Sequence, residues 1–376
     1  MTPKIERFLS ERQPATPCLV VDLQQVEENY RTLRDGLPLA DIYYAVKANP
    51  ARPILNMLVG LGSHFDAASH AEVEMCLAAG AEPEKISFGN TVKKASDIKA
   101  SFDAGVRVFA FDSAEELEKL SNNAPGAKVY CRILTSSAGA DWPLSRKFGC
   151  ELDMARDLML KARDLGLDPY GISFHVGSQQ LEPSAWDLAI ARTAMVFSDL
   201  AAAGLDLRMV NLGGGYPARY NEDIPPFRRF ADAIMEALTR HFGNDLPELI
   251  MEPGRSIVAQ AGVIETEVVL VSNKAYDQEK RWVYLDIGLF GGLAETMGEA
   301  IRYAFSTPHD GTESGPVAIA GPTCDGADIL YEETEYHLPM ALKAGDRVRI
   351  KATGAYTTTY ASVGFNGFEP LTGYYI

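Results

Sequence analysis

Short apolar runs alternate with longer amphipathic segments between residues 18 and 252. The short runs are rich in β-branched and aromatic residues, which favours strands, and the longer segments repeat apolar residues at helical spacing. A strand and a helix repeated eight times predict a (β/α)8 barrel, an α/β fold of the TIM type. After a lead-in strand at 18–22 and a helix at 24–36, the predicted strands are residues 42–48, 64–69, 86–90, 108–113, 129–134, 171–177, 209–215 and 249–252. The predicted helices include residues 71–79, 94–104, 114–122, 153–165, 184–203 and 226–242.

The pattern changes after Arg255 to dense β-type runs with few helical segments between them. This change predicts a second, mainly antiparallel β domain, which the N-terminal strand is a candidate to join. We expect a barrel domain over residues 24–260 and a β domain formed by residues 1–23 plus 261–376. The predicted strands of the second domain are residues 262–272, 281–287, 317–320, 347–352 and 362–365.

The composition of the chain limits which partners, metal sites and cellular location are expected. The 376 residues carry a formal charge of −16, which disfavours binding to nucleic acid. The five cysteines show no C-x-x-C spacing, so we expect reduced, mostly buried thiols and no metal site. An apolar signal core and a run long enough to span a bilayer are both lacking, so a cytoplasmic protein without membrane contact is expected.

Polar residues follow each predicted barrel strand at its carboxyl end, where barrel enzymes build their active sites. Any one of them could be an ordinary strand cap or turn residue, but eight convergent ends indicate a site. In chain order they are Lys47, Asp66, Asn90, Asp112, Arg132, His175, the glycines at 213–215 and Glu252.

Two motifs are candidates for binding phosphate. L-G-G-G-Y-P at residues 212–217 follows a strand and precedes a helix, so its backbone amides could surround an anion. M-E-P-G-R at residues 251–255 offers Arg255 as a cation. A phosphate site, Lys47 and Glu252 together suggest pyridoxal 5′-phosphate, because that cofactor needs an amine for its aldehyde and an acid for its ring nitrogen.

Eight motifs together resemble the fold-type III ornithine/diaminopimelate decarboxylases, over almost the whole chain from Cys18 to the C-terminus. G-P-T-C-D and F-N-G-F resemble the ornithine branch, and F-G-G-L-A-E-T-M at residues 290–297 resembles the bacterial lysine/ornithine enzymes. The motifs are Y-Y-A-V-K-A-N-P (43–50), F-D-A-A-S (65–69), S-F-H-V-G-S (173–178), L-G-G-G-Y-P (212–217), M-E-P-G-R (251–255), G-P-T-C-D-G (321–326), G-A-Y (354–356) and F-N-G-F (365–368).

The resemblance implies a role for each matching residue. Lys47 would hold the cofactor as a Schiff base, and Glu252 would pair with the ring nitrogen. His175 would stack on the ring, supported by Asp66, while Arg132 would join the polar network under it. The phosphate would be bound by Ser178, Gly213, Gly214, Gly215, Arg255 and Tyr356.

The resemblance also implies a homodimer with two shared active sites. Cys324 and Asp325 would reach into the partner's site, where Cys324 would protonate the α-carbon and Asp325 would bind the distal amine. Eukaryotic-type relatives use an aspartate in the segment that corresponds to residues 290–303, whereas this chain offers Glu295 or Glu299 for substrate binding.

The expected reaction is decarboxylation of L-ornithine to putrescine in polyamine biosynthesis, with L-lysine to cadaverine as the second choice and arginine as the third. One methylene of substrate is worth only about 1–3 kcal/mol of discrimination, which leaves these three open. Two other readings stay open: an amino-acid racemase on the same kind of barrel, and a regulatory binding protein that has lost the cofactor.

Overall fold

The computed structural model describes residues 1–136, 138–142 and 147–376. The chain divides into two compact units. The first, called here the β unit, comprises Met1–Glu28, Ala218–Asp223 and Arg255–Ile376; the second, the barrel unit, comprises Asn29–Pro217 and Ile224–Gly254. The domain boundaries expected at residues 23/24 and 260/261 remain a prediction.

The chain begins with α1 (Pro3–Arg12), β1 (Cys18–Val21) and α2 (Leu23–Gly36). Thr2 caps α1, because its side chain accepts a hydrogen bond from the backbone N–H of Ile5 at 3.3 Å. Ile5 and Leu9 are buried in a cluster with Cys18, Val20 and Val263 of the β unit. Helix α1 is not among the predicted helices.

Eight parallel strands close into a barrel, which confirms the predicted fold class. Buried tyrosine and aliphatic side chains fill its interior, among them Tyr43, Tyr130 and Ile250. The barrel strands are β2 (Ala40–Ala45), β3 (His64–Ala67), β4 (Ile86–Phe88), β5 (Val108–Phe111), β6 (Lys128–Arg132), β8 (Asp168–Ser173), β10 (Met209–Asn211) and β11 (Glu248–Met251). Two further short strands, β7 (Ala140–Trp142) and β9 (Ser178–Gln180), pair antiparallel with each other.

Helices connect the barrel strands, as the βα repeat predicts. Helix α3 is not among the predicted helices, although Pro53 near its start is a typical N-terminal signal. The connecting helices are α3 (Arg52–Gly60), α4 (His70–Ala78), α5 (Ala95–Asp103), α6 (Ala114–Asn123), α7 (Leu152–Asp164), α8 (Ala185–Ala202) and α9 (Phe227–Phe242).

The β unit contains α10 (Arg255–Val258) and a mainly antiparallel sheet, as predicted. Strand β1 joins this sheet, pairing antiparallel with β12 so that Cys18 lies opposite Glu265. The other strands are β12 (Gly262–Ser272), β13 (Arg281–Leu285), β14 (Phe305–Ser306), β15 (Ser314–Ala320), β16 (Ile329–Pro339), β17 (Arg347–Lys351) and β18 (Thr372–Tyr375).

The second domain differs from the prediction in one wrong strand and in three strands that were not predicted, β14, β16 and β18. The strand predicted at residues 362–365 is wrong, because this stretch bends and enters a 3₁₀ turn at Phe365–Gly367. Gly364 and Asn366 have φ angles of 73° and 52°, which an extended strand cannot contain. Strand β16 was missed because its glutamates reduce its β-propensity, although buried side chains flank them on both sides.

The free cysteines agree with the expectation of mostly buried thiols. Four are buried and Cys324 is exposed. In the described part of the chain, no group of three or more His, Cys, Asp or Glu side chains could hold a metal ion. No helix among the described residues is long and apolar enough to cross a membrane.

Candidate active site

Charged side chains converge at the carboxyl ends of the barrel strands. Lys47 lies in a 3₁₀ turn, Val46–Ala48, just beyond β2, and Asp66 lies within β3. Arg132 ends β6, and Glu252 follows β11 directly. The fields of Lys47 and Arg132 both act on Asp66 and on Glu252. The structure therefore brings together four of the residues predicted for the cofactor site.

Glu252 is held by contacts to the neighbouring strand. Asn211 at the end of β10 donates from Nδ2 to Glu252 Oε1 at 2.5 Å. The Glu252 backbone N–H donates to the carbonyl of Gly213 at 2.9 Å. Burial, followed by repulsion from Asp66, raises the pKa of Glu252 to about 7. The acid is therefore poised to change protonation near neutral pH.

His175 lies two residues beyond β8 and is held in one tautomer. Its Nδ1 accepts a hydrogen bond from the Gly177 N–H at 3.0 Å, which places the proton of the neutral ring on Nε2. Burial, with the charges of Arg132 and Lys47, lowers the pKa of His175 well below its usual range. We therefore infer a neutral imidazole.

Asp66 is buried, and its Oδ1 has no hydrogen-bond partner within the described structure. Burial raises the pKa of Asp66, and the charges of Lys47 and Arg132 oppose that shift. The contacts of the described residues include no hydrogen bond between Asp66 and His175, so the support expected from Asp66 remains a prediction. A buried carboxylate oxygen without a partner is costly and typical of a site that receives a ligand.

The triple glycine forms a turn in which an added side chain would collide with the neighbouring backbone. A Cβ at Gly213 would lie 2.0 Å from the Phe174 carbonyl oxygen, and one at Gly215 would lie 2.2 Å from the Gly177 carbonyl oxygen. Gly213 and Gly215 also have φ angles of +65° and +102°. Glycine is therefore required both by conformation and by close backbone approach.

We expect Gly213→Ala to lower cofactor affinity at least tenfold and to destabilise the fold by about 1–3 kcal/mol or more, because the methyl group meets a backbone carbonyl. Gly204→Ala is the matched control, since Gly204 has a φ of +76° but nothing within 4 Å of an added Cβ. Urea unfolding and cofactor titration measure both variants. Equal effects of the two substitutions would contradict a special close approach at Gly213.

Within the β unit, Arg255 and Glu295 form a buried ion pair. Two nitrogens of Arg255 donate to the two oxygens of Glu295 at 2.7 and 2.5 Å, and Tyr220 OH accepts from Arg255 at 2.5 Å. The Tyr356 ring centroid lies 5.0 Å from Arg255 Cζ. Burial alone would lower the pKa of Arg255, but the field of Glu295 outweighs it and raises that pKa.

Replacing Glu295 by alanine should destabilise the protein by about 3–5 kcal/mol, because it leaves the buried Arg255 cation without its carboxylate. Glu335→Ala is the control in the same unit, since that side chain is 82% exposed and its loss should change stability by less than about 0.5 kcal/mol. Denaturant unfolding of both variants measures the difference. A small cost for Glu295→Ala would show that the pair is dispensable for folding.

Glu299 is also bound to protein groups. Its carboxylate accepts the backbone N–H groups of Glu332, Glu333 and Thr334 at 2.7, 2.8 and 2.6 Å. Burial alone would raise the pKa of Glu299, but a hydrogen bond from the Thr334 side chain, together with these backbone hydrogen bonds, lowers it. Glu295 and Glu299 are thus both occupied within the β unit, which argues against either one binding a substrate amine in this conformation.

Cys324 and Asp325 lie on an exposed loop between β15 and β16. Asn366 Oδ1 accepts the Cys324 N–H at 2.8 Å. Asp328, which is 2% exposed, fixes the loop by accepting from the Leu289 and Thr323 backbones at 2.7 and 3.0 Å. Sequence reasoning missed Asp328, whose only signal was a second aspartate in C-D-G-A-D.

A family model described as the pyridoxal binding domain of pyridoxal-dependent decarboxylases matches residues 23–259. A lysine/ornithine decarboxylase from Selenomonas ruminantium is 36% identical over 370 residues, which cover 98% of this chain and 91% of that protein. The chain belongs to the pyridoxal-dependent decarboxylases. The resemblance drawn from the motifs is thereby confirmed.

Solved structures of this decarboxylase family match along the whole chain. The lysine decarboxylase of Selenomonas ruminantium superposes with a TM-score of 0.88 at 34% identity and covers 99% of this chain and 95% of its own. The arginine decarboxylase of Paramecium bursaria Chlorella virus gives a TM-score of 0.91 at 28% identity, with 100% of both chains covered. The fold is therefore shared with decarboxylases of different named substrates.

Pyridoxal 5′-phosphate is confirmed as the cofactor by the family and by its solved members. The barrel unit of this decarboxylase fits that group in three respects. The glycines of the turn place no side chain between their backbone amides and a bound anion, the Oδ1 of Asp66 is buried with no hydrogen-bond partner among the described residues, and burial raises the pKa of Glu252 to about 7.

Proposed function

We propose that this protein decarboxylates L-ornithine to putrescine, with L-lysine to cadaverine as its second reaction. The observation that carries the proposal is the convergence of Lys47, Asp66, Arg132 and Glu252 at the carboxyl ends of the barrel strands. Such a cluster supplies both the amine and the acid that a pyridoxal phosphate enzyme requires. The 36% identity to a lysine/ornithine decarboxylase supports this choice of substrate class.

Residues of the barrel unit hold the cofactor in this proposal. Lys47 would bind its aldehyde carbon through Nζ, and the backbone amides of the glycine turn would bind its phosphate. Neutral His175 could stack on the ring without adding charge. Glu252 would hold the ring nitrogen in its protonated form. When bound, pyridoxal phosphate supplies an electron-accepting ring for the charge left on the α-carbon after carbon dioxide departs.

The phosphate roles of Ser178, Arg255 and Tyr356 rest on their motifs. Arg255 is already paired with Glu295, and that pair would hold the guanidinium in a fixed direction while occupying two of its nitrogens. We therefore propose the glycine turn as the main phosphate ligand and Arg255 as a fixed positive charge.

We further propose a homodimer in which each subunit lends Cys324 and Asp325 to the partner's site. Both side chains are exposed in the single chain, and Asp328 holds their loop in place. An exposed thiol can deliver its proton to the α-carbon, and an exposed carboxylate can bind the distal ammonium of the substrate. Asp325 is the substrate carboxylate we favour, because Glu295 and Glu299 are occupied.

The deciding experiment is carbon dioxide release from L-ornithine, L-lysine, L-arginine and meso-diaminopimelate in parallel, with pyridoxal phosphate supplied. Faster release from ornithine than from the other three supports the proposal. Faster release from lysine or arginine would reassign the substrate while keeping the decarboxylase. Racemisation without carbon dioxide release would point to a racemase. A protein that takes up no cofactor would indicate a regulatory binding protein.

A further inference from the structure

A closed ring of three hydrogen bonds joins Glu252 to the glycine turn through Asn211. Asn211 ends β10 and is 1% exposed. Its Nδ2 donates to Glu252 Oε1 at 2.5 Å, and its Oδ1 accepts from the Gly213 N–H at 2.9 Å. The Glu252 N–H donates back to the Gly213 carbonyl at 2.9 Å. One side chain therefore contacts both the acid and the phosphate-binding turn.

The ring of contacts fixes the direction of the Asn211 amide. The Gly213 N–H can only donate, so the amide oxygen of Asn211 must face it. The amide NH₂ must then face Glu252, whose Oε1 has to act as an acceptor. A donor aimed at a carboxylate oxygen favours the ionised form of that carboxylate. Asn211 thus selects the charge state of Glu252 as well as its position.

The effect of Asn211 on the protonation of Glu252 opposes the effect of burial. Burial and the charge of Asp66 favour the protonated acid, whereas Lys47 and Arg132 favour the ionised one. Like the two cations, Asn211 favours the ionised form, but it does so through a direct hydrogen bond. Among the described residues, the titratable or charged groups that interact electrostatically with Glu252 include Tyr43, Lys47, Asp66, Tyr130, Arg132 and Tyr216.

We propose that Asn211 is a positioning residue that shifts Glu252 toward its ionised form and aligns it with the glycine turn, so that the acid and the phosphate site bind the cofactor together. The inference rests on the role proposed above for Glu252 and is independent of which amino acid is the substrate.

The test is the affinity of the apoprotein for pyridoxal phosphate, titrated from about pH 6 to about pH 9, where the ionisation of Glu252 lies. Asn211→Leu should weaken binding about 10- to 100-fold at neutral pH, the loss expected for a hydrogen bond to a charged group. The affinity for the cofactor falls on acidification, and the midpoint pH of this fall should also move upward, because the Glu252 carboxylate loses a hydrogen-bond donor. A purely structural defect would weaken binding without moving that midpoint.

Asn211→Ser separates the two halves of the contact. A serine hydroxyl can still accept from the N–H two residues along, as Asn211 does from Gly213, but it is too short to replace the bond to Glu252. We expect Asn211→Ser to show the same upward shift of the midpoint as Asn211→Leu, with a smaller loss of stability. An unshifted midpoint in both variants would overturn the inference.

Two controls complete the experiment. Thr193→Val removes a buried polar group elsewhere in the barrel unit. The Thr193 side chain is 0% exposed and its hydroxyl donates to the Ala189 carbonyl, and its loss should leave the midpoint unchanged. Asn211→Leu introduced into Glu252→Gln should cause no midpoint shift, since no carboxylate remains to titrate.

Because the titration needs no substrate, a shifted midpoint in a protein inactive on ornithine would refute the proposed function and leave this inference standing. A Glu252→Gln protein that binds the cofactor like the wild type would overturn both roles.

Discussion

Lys47→Ala is expected to lower carbon dioxide release about 10³-fold or more, equivalent to about 4 kcal/mol of transition-state stabilisation. The loss follows from the position of the amine. Lys47 is exposed in a 3₁₀ turn just beyond β2, and its charge acts on both Asp66 and Glu252. In the role proposed for Lys47, its removal deletes the group that would bind the aldehyde and exchange places with the substrate amine. Steady-state turnover with saturating cofactor measures the effect.

The control for Lys47→Ala is Lys99→Ala on α5, whose side chain is 64% exposed and pairs with Asp103 of the same helix. That substitution should leave turnover within about twofold, since surface ion pairs contribute little. Partial recovery of Lys47→Ala by an added small primary amine would support a chemical rather than a structural role. Turnover near the wild-type rate without added amine would rule out the role proposed for Lys47.

The barrel could be predicted from sequence because its parallel strands are buried on both faces and read as continuous apolar runs. The ends of those strands were harder to place. The predicted second strand continued to Ala48, whereas β2 ends at Ala45. Val46 and Ala48 are buried and apolar, so they mimic a strand, yet the Asn49 N–H bonds back to the Val46 carbonyl and closes a turn. Periodicity reports burial and does not report where the backbone turns.

The residue types of the site could also be predicted from the sequence, but the contacts that these residues make could not. The motifs identified Glu295 and Glu299 as carboxylates near a substrate segment. Only the fold shows that Arg255 occupies the first and that the β16 backbone occupies the second. Asn211 and Asp328 were missed for the same reason: their contacts join residues about 40 positions apart, and no local pattern marks such pairs.

Loss of the acid is the second large effect. Glu252→Gln is expected to lower turnover about 10²- to 10³-fold, the range seen when one preorganised electrostatic contact is removed from an active site. Glutamine keeps the shape of the side chain but cannot carry the charge that, in the role proposed for Glu252, would hold a proton on the ring nitrogen. Glu252→Asp keeps the charge on a shorter arm and should recover part of the activity. Turnover of Glu252→Gln within a few-fold of wild type would contradict the proposed role.

The same substitution should make the apoprotein more stable above about pH 7, where Glu252 is ionised. Burial raises the pKa of Glu252 from 4.5 to about 7, so between these values the folded chain binds a proton that the unfolded chain has lost. Stability of the wild-type apoprotein therefore falls as pH rises through this window, and Glu252→Gln should flatten the fall. Urea unfolding at about pH 5 and about pH 8 measures the difference, with Thr193→Val as the neutral barrel control. A variant that gains stability at the higher pH while losing turnover shows that the buried charge is kept for catalysis at a cost to folding.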